Sequence, residues 1–154
     1  ILSGLVGSEM CIRDRYNNNL NNNKMFDWKK PTVQMLGRWQ PWHDGHQALF
    51  KRCVAKTGQV IIQVRDVQGA SGGDGQDDNP FDWDAVCKNI EDGLIKDNFK
   101  RGVDYEIMLV PNIVNITYGR GVGYAFDEEV FDEATHSISA TKIRKKMRDE
   151  GKLK

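Results

Sequence analysis

Gly37-Arg38-Trp39-Gln40-Pro41-Trp42-His43-Asp44-Gly45-His46 sets two of the chain's three histidines around a glycine, directly behind an apolar stretch. Val33, Met35 and Leu36 lead into it as a short strand would. Ala48, Leu49, Phe50, Cys53 and Val54 leave it with the spacing of one helix face. The stretch therefore reads as a strand-to-helix turn. The first backbone N–H groups of a helix lack partners within it, and the positive end of the helix dipole lies there, so such a turn attracts anions. Glycine has no Cβ to keep a phosphate away from the main chain. His43 and His46 would add donors to that site.

Outward from this turn, the chain alternates. Val60, Ile61, Ile62 and Val64 form a short apolar run rich in β-branched residues, and Ile107 to Val110 form another after Tyr105. Runs of this kind predict strands covered on both faces. Between them, Val86, Ile90 and Leu94 fall four residues apart, which predicts a helix over 85–99 despite Gly93. Strand, helix, strand, helix, strand from Val33 to Val110 predicts an α/β, Rossmann-like three-layer fold. Its parallel strands would be joined by right-handed crossovers, with ligands bound outside their carboxyl ends.

A last helix is specified by its start. Ser139 can cap the N-terminus, and Ile138 and Ile143 occupy the two positions of a hydrophobic staple. Thr141 and the first free N–H groups would then face the same crevice as the histidines, with Arg144 one turn further along. The stretch 66–84, with its aspartates and glycines, reads as a flexible insertion or a lid. It lacks the Gly-Lys-Ser/Thr ending of a phosphate-binding P-loop and the ordered ligand spacing of an EF-hand. Gly119 to Gly123 misses the GxGxxG spacing and reads as a turn before or within a fourth strand.

Composition narrows the class. The chain carries 22 basic and 22 acidic side chains, and a general nucleic-acid binder would show a basic excess. No apolar run reaches the roughly 20 residues needed to span a bilayer. Cys53 and Cys87 lie in helix-like patterns without a CxxC pairing, which favours a reduced, cytoplasmic setting. Residues 1–24 resemble a translated sequencing adapter followed by an asparagine-rich leader. They are expected to be non-native and disordered, leaving one domain over 25–154.

His43-Asp44-Gly45-His46 resembles the HxGH signature of the nucleotidyltransferase superfamily, and Ile138-Ser139-Ala140-Thr141-Lys142-Ile143-Arg144 resembles its ISxTxxR signature. The similarity covers Val33 to about Lys152. Gly37 to Trp42 is similar to the GRFQPF segment of archaeal-type nicotinamide mononucleotide adenylyltransferases, with tryptophan at both phenylalanine positions, and Asn79-Pro80-Phe81 resembles an NPF segment of the same group. The arginine usual after NPF is not evident in Asp82 to Lys88.

This resemblance implies transfer of a nucleotidyl group from ATP or CTP, carried with Mg2+, to a small phosphorylated substrate with release of pyrophosphate. It implies that His46 stabilises the α-phosphate and that His43 holds the bridging or β-phosphate region. Ser139, Thr141 and Arg144 would bind the β- and γ-phosphates, and Gly37, Arg38, Trp39 and Gly45 would complete the nucleotide site. Trp39 and Trp42 also fit as core or wall residues, and His136 has no assigned role. No protein-bound metal, nucleic acid or membrane is expected, and a homo-oligomer is expected by analogy. Other acceptors stay open: a sugar or glycerol phosphate, phosphopantetheine or sulfate. So do zinc ligation by the histidine pair and a regulatory module that binds nucleotide without turnover.

Overall fold

A computed structural model describes residues 25–67, 78–121 and 123–153. The leader at 1–24 and most of the Asp/Gly-rich insertion lie outside the described residues. Three strands, β1 (Val33–Gly37), β2 (Val60–Arg65) and β3 (Tyr105–Val110), pair in parallel in the order β1-β2-β3. Helix α1 (Asp44–Thr57) joins the first two strands and α2 (Trp83–Ile95) joins the second pair. The one-turn α3 (Glu133–His136) and α4 (Ala140–Asp149) close the chain. The α/β architecture with a parallel sheet is the one expected from the alternating pattern.

Both crossovers step in the same direction across the sheet. Right-handed connections then place α1 and α2 side by side on one face. Phe50 and Cys53 of α1 and Val86, Ile90 and Leu94 of α2 accordingly share one core with Met35, Ile62, Tyr105 and Ile107. Burial alternates along β2: Val60, Ile62 and Val64 are fully buried, while Ile61, Gln63 and Arg65 are half-buried. The run expected to be covered on both faces thus has one dry face. Its other face carries a Gln34–Gln63 side-chain hydrogen bond and a contact from Gln63 to the Met108 sulfur at 3.8 Å. Those polar groups are the reason the face tolerates partial hydration.

Local chemistry sets the element limits. α1 ends at Gly58, whose φ of 86° is the left-handed conformation that glycine adopts without a Cβ penalty, and whose N–H donates to Val54 O at 2.7 Å. The helix expected over 85–99 runs from Trp83 to Ile95, capped by Asp82, whose carboxylate accepts from Ala85 N at 2.9 Å. Phe99 lies beyond it and packs edge-on against Phe50. Among the described residues no fourth strand forms, and 111–121 and 123–131 run as irregular chain. Its later part is strapped along α1. Arg52 donates to Val130 O at 2.6 Å and sits over the Phe131 ring, while Lys56 pairs with Asp127 and Glu129. This strap brings α3 against α1 and delivers the start of α4 to the site.

Candidate functional site

The histidines cap their own helix. His43 is the N-cap of α1, and its Nδ1 accepts from Gly45 N at 3.1 Å and from His46 N at 3.4 Å. His46 Nδ1 accepts in return from His43 N at 3.3 Å. This is a reciprocal capping box in which imidazoles replace the usual hydroxyl and carboxyl groups. The two rings stack with centroids 3.6 Å apart. Burial lowers the His46 pKa to about 3, with the neighbouring His43 adding to the effect, and burial also lowers that of His43 against the opposing pull of Asp44. A neutral imidazole whose Nδ1 accepts must carry its proton on Nε2. Each histidine is therefore fixed as an Nε2–H donor.

Two glycines are set by these rings. A Cβ on Gly45 would lie 2.9 Å from the His43 ring, and one on Gly37 would lie 2.9 Å from the Trp39 ring. Trp39 holds a left-handed φ of 54°, which folds its indole back over Gly37. Its Nε1 donates to Gln63 O at 3.1 Å. Buried there, Trp39 meets His46 edge-on at 4.7 Å, and Trp42 lies 5.4 Å from the same ring. The tryptophans are the wall that desolvates His46.

Trp42 is fixed by a polar relay. Its Nε1 donates to Gln47 Oε1 at 2.7 Å, and Gln47 Nε2 donates to Gly93 O and Asp97 at 2.8 and 2.7 Å. A Cβ at Gly93 would lie 2.7 Å from the indole, which explains a glycine inside α2. Pro41, Trp42, His43, Phe81, Asn89 and Met147 line a cleft of about 450 Å³, with Asp44 and Asp92 also on its wall.

The second motif meets the first. Ser139 caps α4, its hydroxyl accepting from Lys142 N at 3.5 Å, and the Ile138 Cβ stands 3.8 Å from where a Gly45 Cβ would be. Arg144 is only 2% exposed. Its Nε donates to Asp78 at 2.7 Å, its Nη1 to the Gln40 carbonyl and its Nη2 to Thr141 Oγ1 at 3.3 Å. Arg148 also donates to Asp78, to one oxygen at 3.0 Å and to the other at 2.7 Å. The hydrogen bonds from Arg148, joined by those from Arg144, hold the Asp78 carboxyl well below the usual carboxylate range although burial opposes them.

Arg38 donates to Asn79 Oδ1 at 2.8 Å, and Gln40 clamps Phe81 by both its backbone N–H and its C=O at 2.8 Å. Of the residues expected at the site, His43, Gly45 and His46 share the start of α1, and Ser139, Thr141 and Arg144 share the start of α4. Gly37 and Trp39 support them, and Arg38 faces segment 78–81. Gln40, Asp78 and Arg148 carried no role in the sequence. A glutamine in a motif loop has no spacing signature, and Asp78 is one of many aspartates nearby. Exposed His136 ends α3.

Burial raises the thiol pKa of Cys53 and of Cys87, so neither is an activated nucleophile. Among the described residues no group of three or more His, Cys, Asp or Glu is placed to hold a metal ion, and no helix is long and apolar enough to cross a membrane.

Two helix starts approach one another at Ile138 and Gly45, one with two neutral imidazole donors and one with an arginine, and helix starts and guanidinium groups are both places that attract anions. A nicotinamide-nucleotide adenylyltransferase of Methanococcus aeolicus is 25% identical to this chain over 118 residues, spanning 71% of this chain and 66% of that protein. The chain thus resembles one nucleotidyltransferase-type protein at modest identity, over a little less than two thirds of that protein's length. No protein-family profile and no solved structure matches the chain.

Proposed function

We propose that the chain transfers AMP from ATP to a small phosphorylated acceptor and releases pyrophosphate, with nicotinamide mononucleotide as the acceptor. The observation that carries this reading is the approach of the α4 start to the α1 start at Ile138 and Gly45. The named relative supports the adenylyl donor and the acceptor. The acceptor phosphate oxygen attacks the α-phosphorus, the bond to the bridging oxygen breaks, and pyrophosphate leaves with the Mg2+ that came with the triphosphate. Such a reaction asks the protein for alignment and charge stabilisation rather than covalent chemistry.

His46 Nε2–H donates to the α-phosphate as negative charge builds there, and His43 Nε2–H to the bridging or β-phosphate oxygens. Ser139, Thr141 and Arg144 take the terminal phosphates. The cleft beside His43 takes the acceptor base. Its aromatic walls, Trp42 and Phe81, with Asp44, Asp92 and Asp97 outnumbering Lys96 on the lining, suit a positively charged ring such as a pyridinium.

The test combines ATP or CTP with nicotinamide mononucleotide, glycerol phosphate, phosphopantetheine or sulfate and follows pyrophosphate. ATP with nicotinamide mononucleotide should give the fastest release. Release with another pair would replace the substrates, and none with any pair would remove the catalytic reading.

A further inference from the structure

Arg144 and Arg148 converge on a single anionic group. Three N–H donors from the two guanidinium groups reach the two Asp78 oxygens at 2.7, 2.7 and 3.0 Å. Two planar forks closing on one small anion is the geometry by which arginines hold a phosphate. The two cations differ in depth. The Arg144 side chain is 2% exposed, whereas those of Arg148 and Asp78 are 38% and 36% exposed. The position filled by the carboxylate is therefore open to solvent on one side and backed by a buried positive charge on the other.

It also belongs to the crevice already described, because Arg144 is tied to the Gln40 carbonyl of the motif loop and to Thr141 at the α4 start. A carboxylate left in place beside incoming terminal phosphates would repel them, so the two anions exclude one another.

We propose that Arg148 joins Arg144 in a two-guanidinium seat for the terminal phosphates of the triphosphate, and that the Asp78 side chain fills this seat and leaves it when phosphate enters. The proposal rests on the nucleotidyl-transfer reading of the site. A competing internal anion lowers apparent affinity by the fraction of time the seat is free, so Asp78 sets the triphosphate affinity without contacting the nucleotide. Segment 79–81 keeps its own anchors during the exchange. Asn79 is held by Arg38 and Phe81 by Gln40, so only the Asp78 side chain has to turn away.

Inorganic tripolyphosphate is the probe, titrated calorimetrically into the full chain, with melting temperature measured alongside. Asp78→Asn should bind tripolyphosphate about tenfold more tightly than the wild type, because the internal competitor is weakened. Its melting temperature without the probe should fall, because buried Arg144 loses its counter-ion. Arg148→Ala, a change at a partly exposed side chain that should leave folding intact, should bind about tenfold more weakly, the scale of a lost charge-assisted fork.

Equal or weaker binding by a folded Asp78→Asn would make Asp78 a structural clamp and overturn the exchange. Should Asp78→Asn fail to fold, Arg148→Ala decides alone, and unchanged affinity there overturns the seat. If the wild type binds neither tripolyphosphate nor ATP, the nucleotide reading of the site fails with it. If it binds both and the variants do not differ, only the seat fails.

Discussion

Acid should unfold this chain through His46. In the native state burial lowers the His46 pKa from 6.5 to about 3. A pKa depressed by folding contributes stability that is present above pH 6.5 and is lost as pH falls toward 3. At pH 5 the unfolded chain carries a proton on this residue and the native chain does not. The native state should therefore lose roughly 2 kcal/mol between pH 7.5 and pH 5, and on the order of 4 kcal/mol by pH 3, from this residue alone. His43 acts in the same direction.

The control is His46→Gln. Glutamine is a normal partner in a capping box, so it can keep the reciprocal bond to the His43 N–H while offering nothing to titrate. Urea unfolding at pH 7.5, 6, 5 and 4 measures both proteins. The wild type should lose about 2 kcal/mol more than the variant by pH 5. The carboxylates whose pKa is lowered by ion pairs, such as Asp78 and Glu129, are common to both proteins and cancel in the difference. Parallel curves for the two proteins would show that His46 is not buried as a neutral ring, and the fixed Nε2–H donor would go with it.

Gly93→Ala should reverse the usual helix rule. Alanine in place of glycine normally stabilises a helix interior by up to about 1 kcal/mol, but here the added Cβ would lie 2.7 Å from the Trp42 indole. A lower urea midpoint and a changed tryptophan fluorescence are expected, and a raised midpoint would refute the packing. Gln40→Ala removes both bonds to the Phe81 backbone and leaves two polar groups without their partner, at a cost of about 2–4 kcal/mol. Faster amide exchange at Phe81 should accompany it, and unchanged exchange would show that the clamp is dispensable.

The sequence made the sheet legible where chemistry is local. The β-branched run at Val60–Val64 and the four-residue spacing of Val86, Ile90 and Leu94 each point to one element, and Ser139 is a cap by its residue type. The strap at 127–131 was not legible, because Arg52 and Lys56 meet Asp127 and Glu129 only after folding, and charged pairs far apart in sequence carry no pattern. The polar half of the sheet was hidden for a related reason. Ile61 and Gln63 alternate with buried neighbours, but the apolar run masks the alternation.

The histidines were legible as donors, yet their use as caps was not, since helix caps are ordinarily Ser, Thr, Asp or Asn. Arg144 drew attention as a phosphate ligand by resemblance. Its burial against Asp78 and Gln40 depends on segment 78–81 folding back over the α4 start, which no local signal encodes.

In the proposed reaction His46 donates to charge that develops only as the nucleotidyl group is transferred. Its most direct test is the rate of pyrophosphate release by His46→Ala in a single turnover, with triphosphate affinity measured on the same protein. The rate should fall on the order of a hundredfold or more below wild type, the scale for removing one preorganised donor, with affinity changed by no more than about twofold. Full turnover by His46→Ala, in a protein that still folds and binds triphosphate, would contradict it.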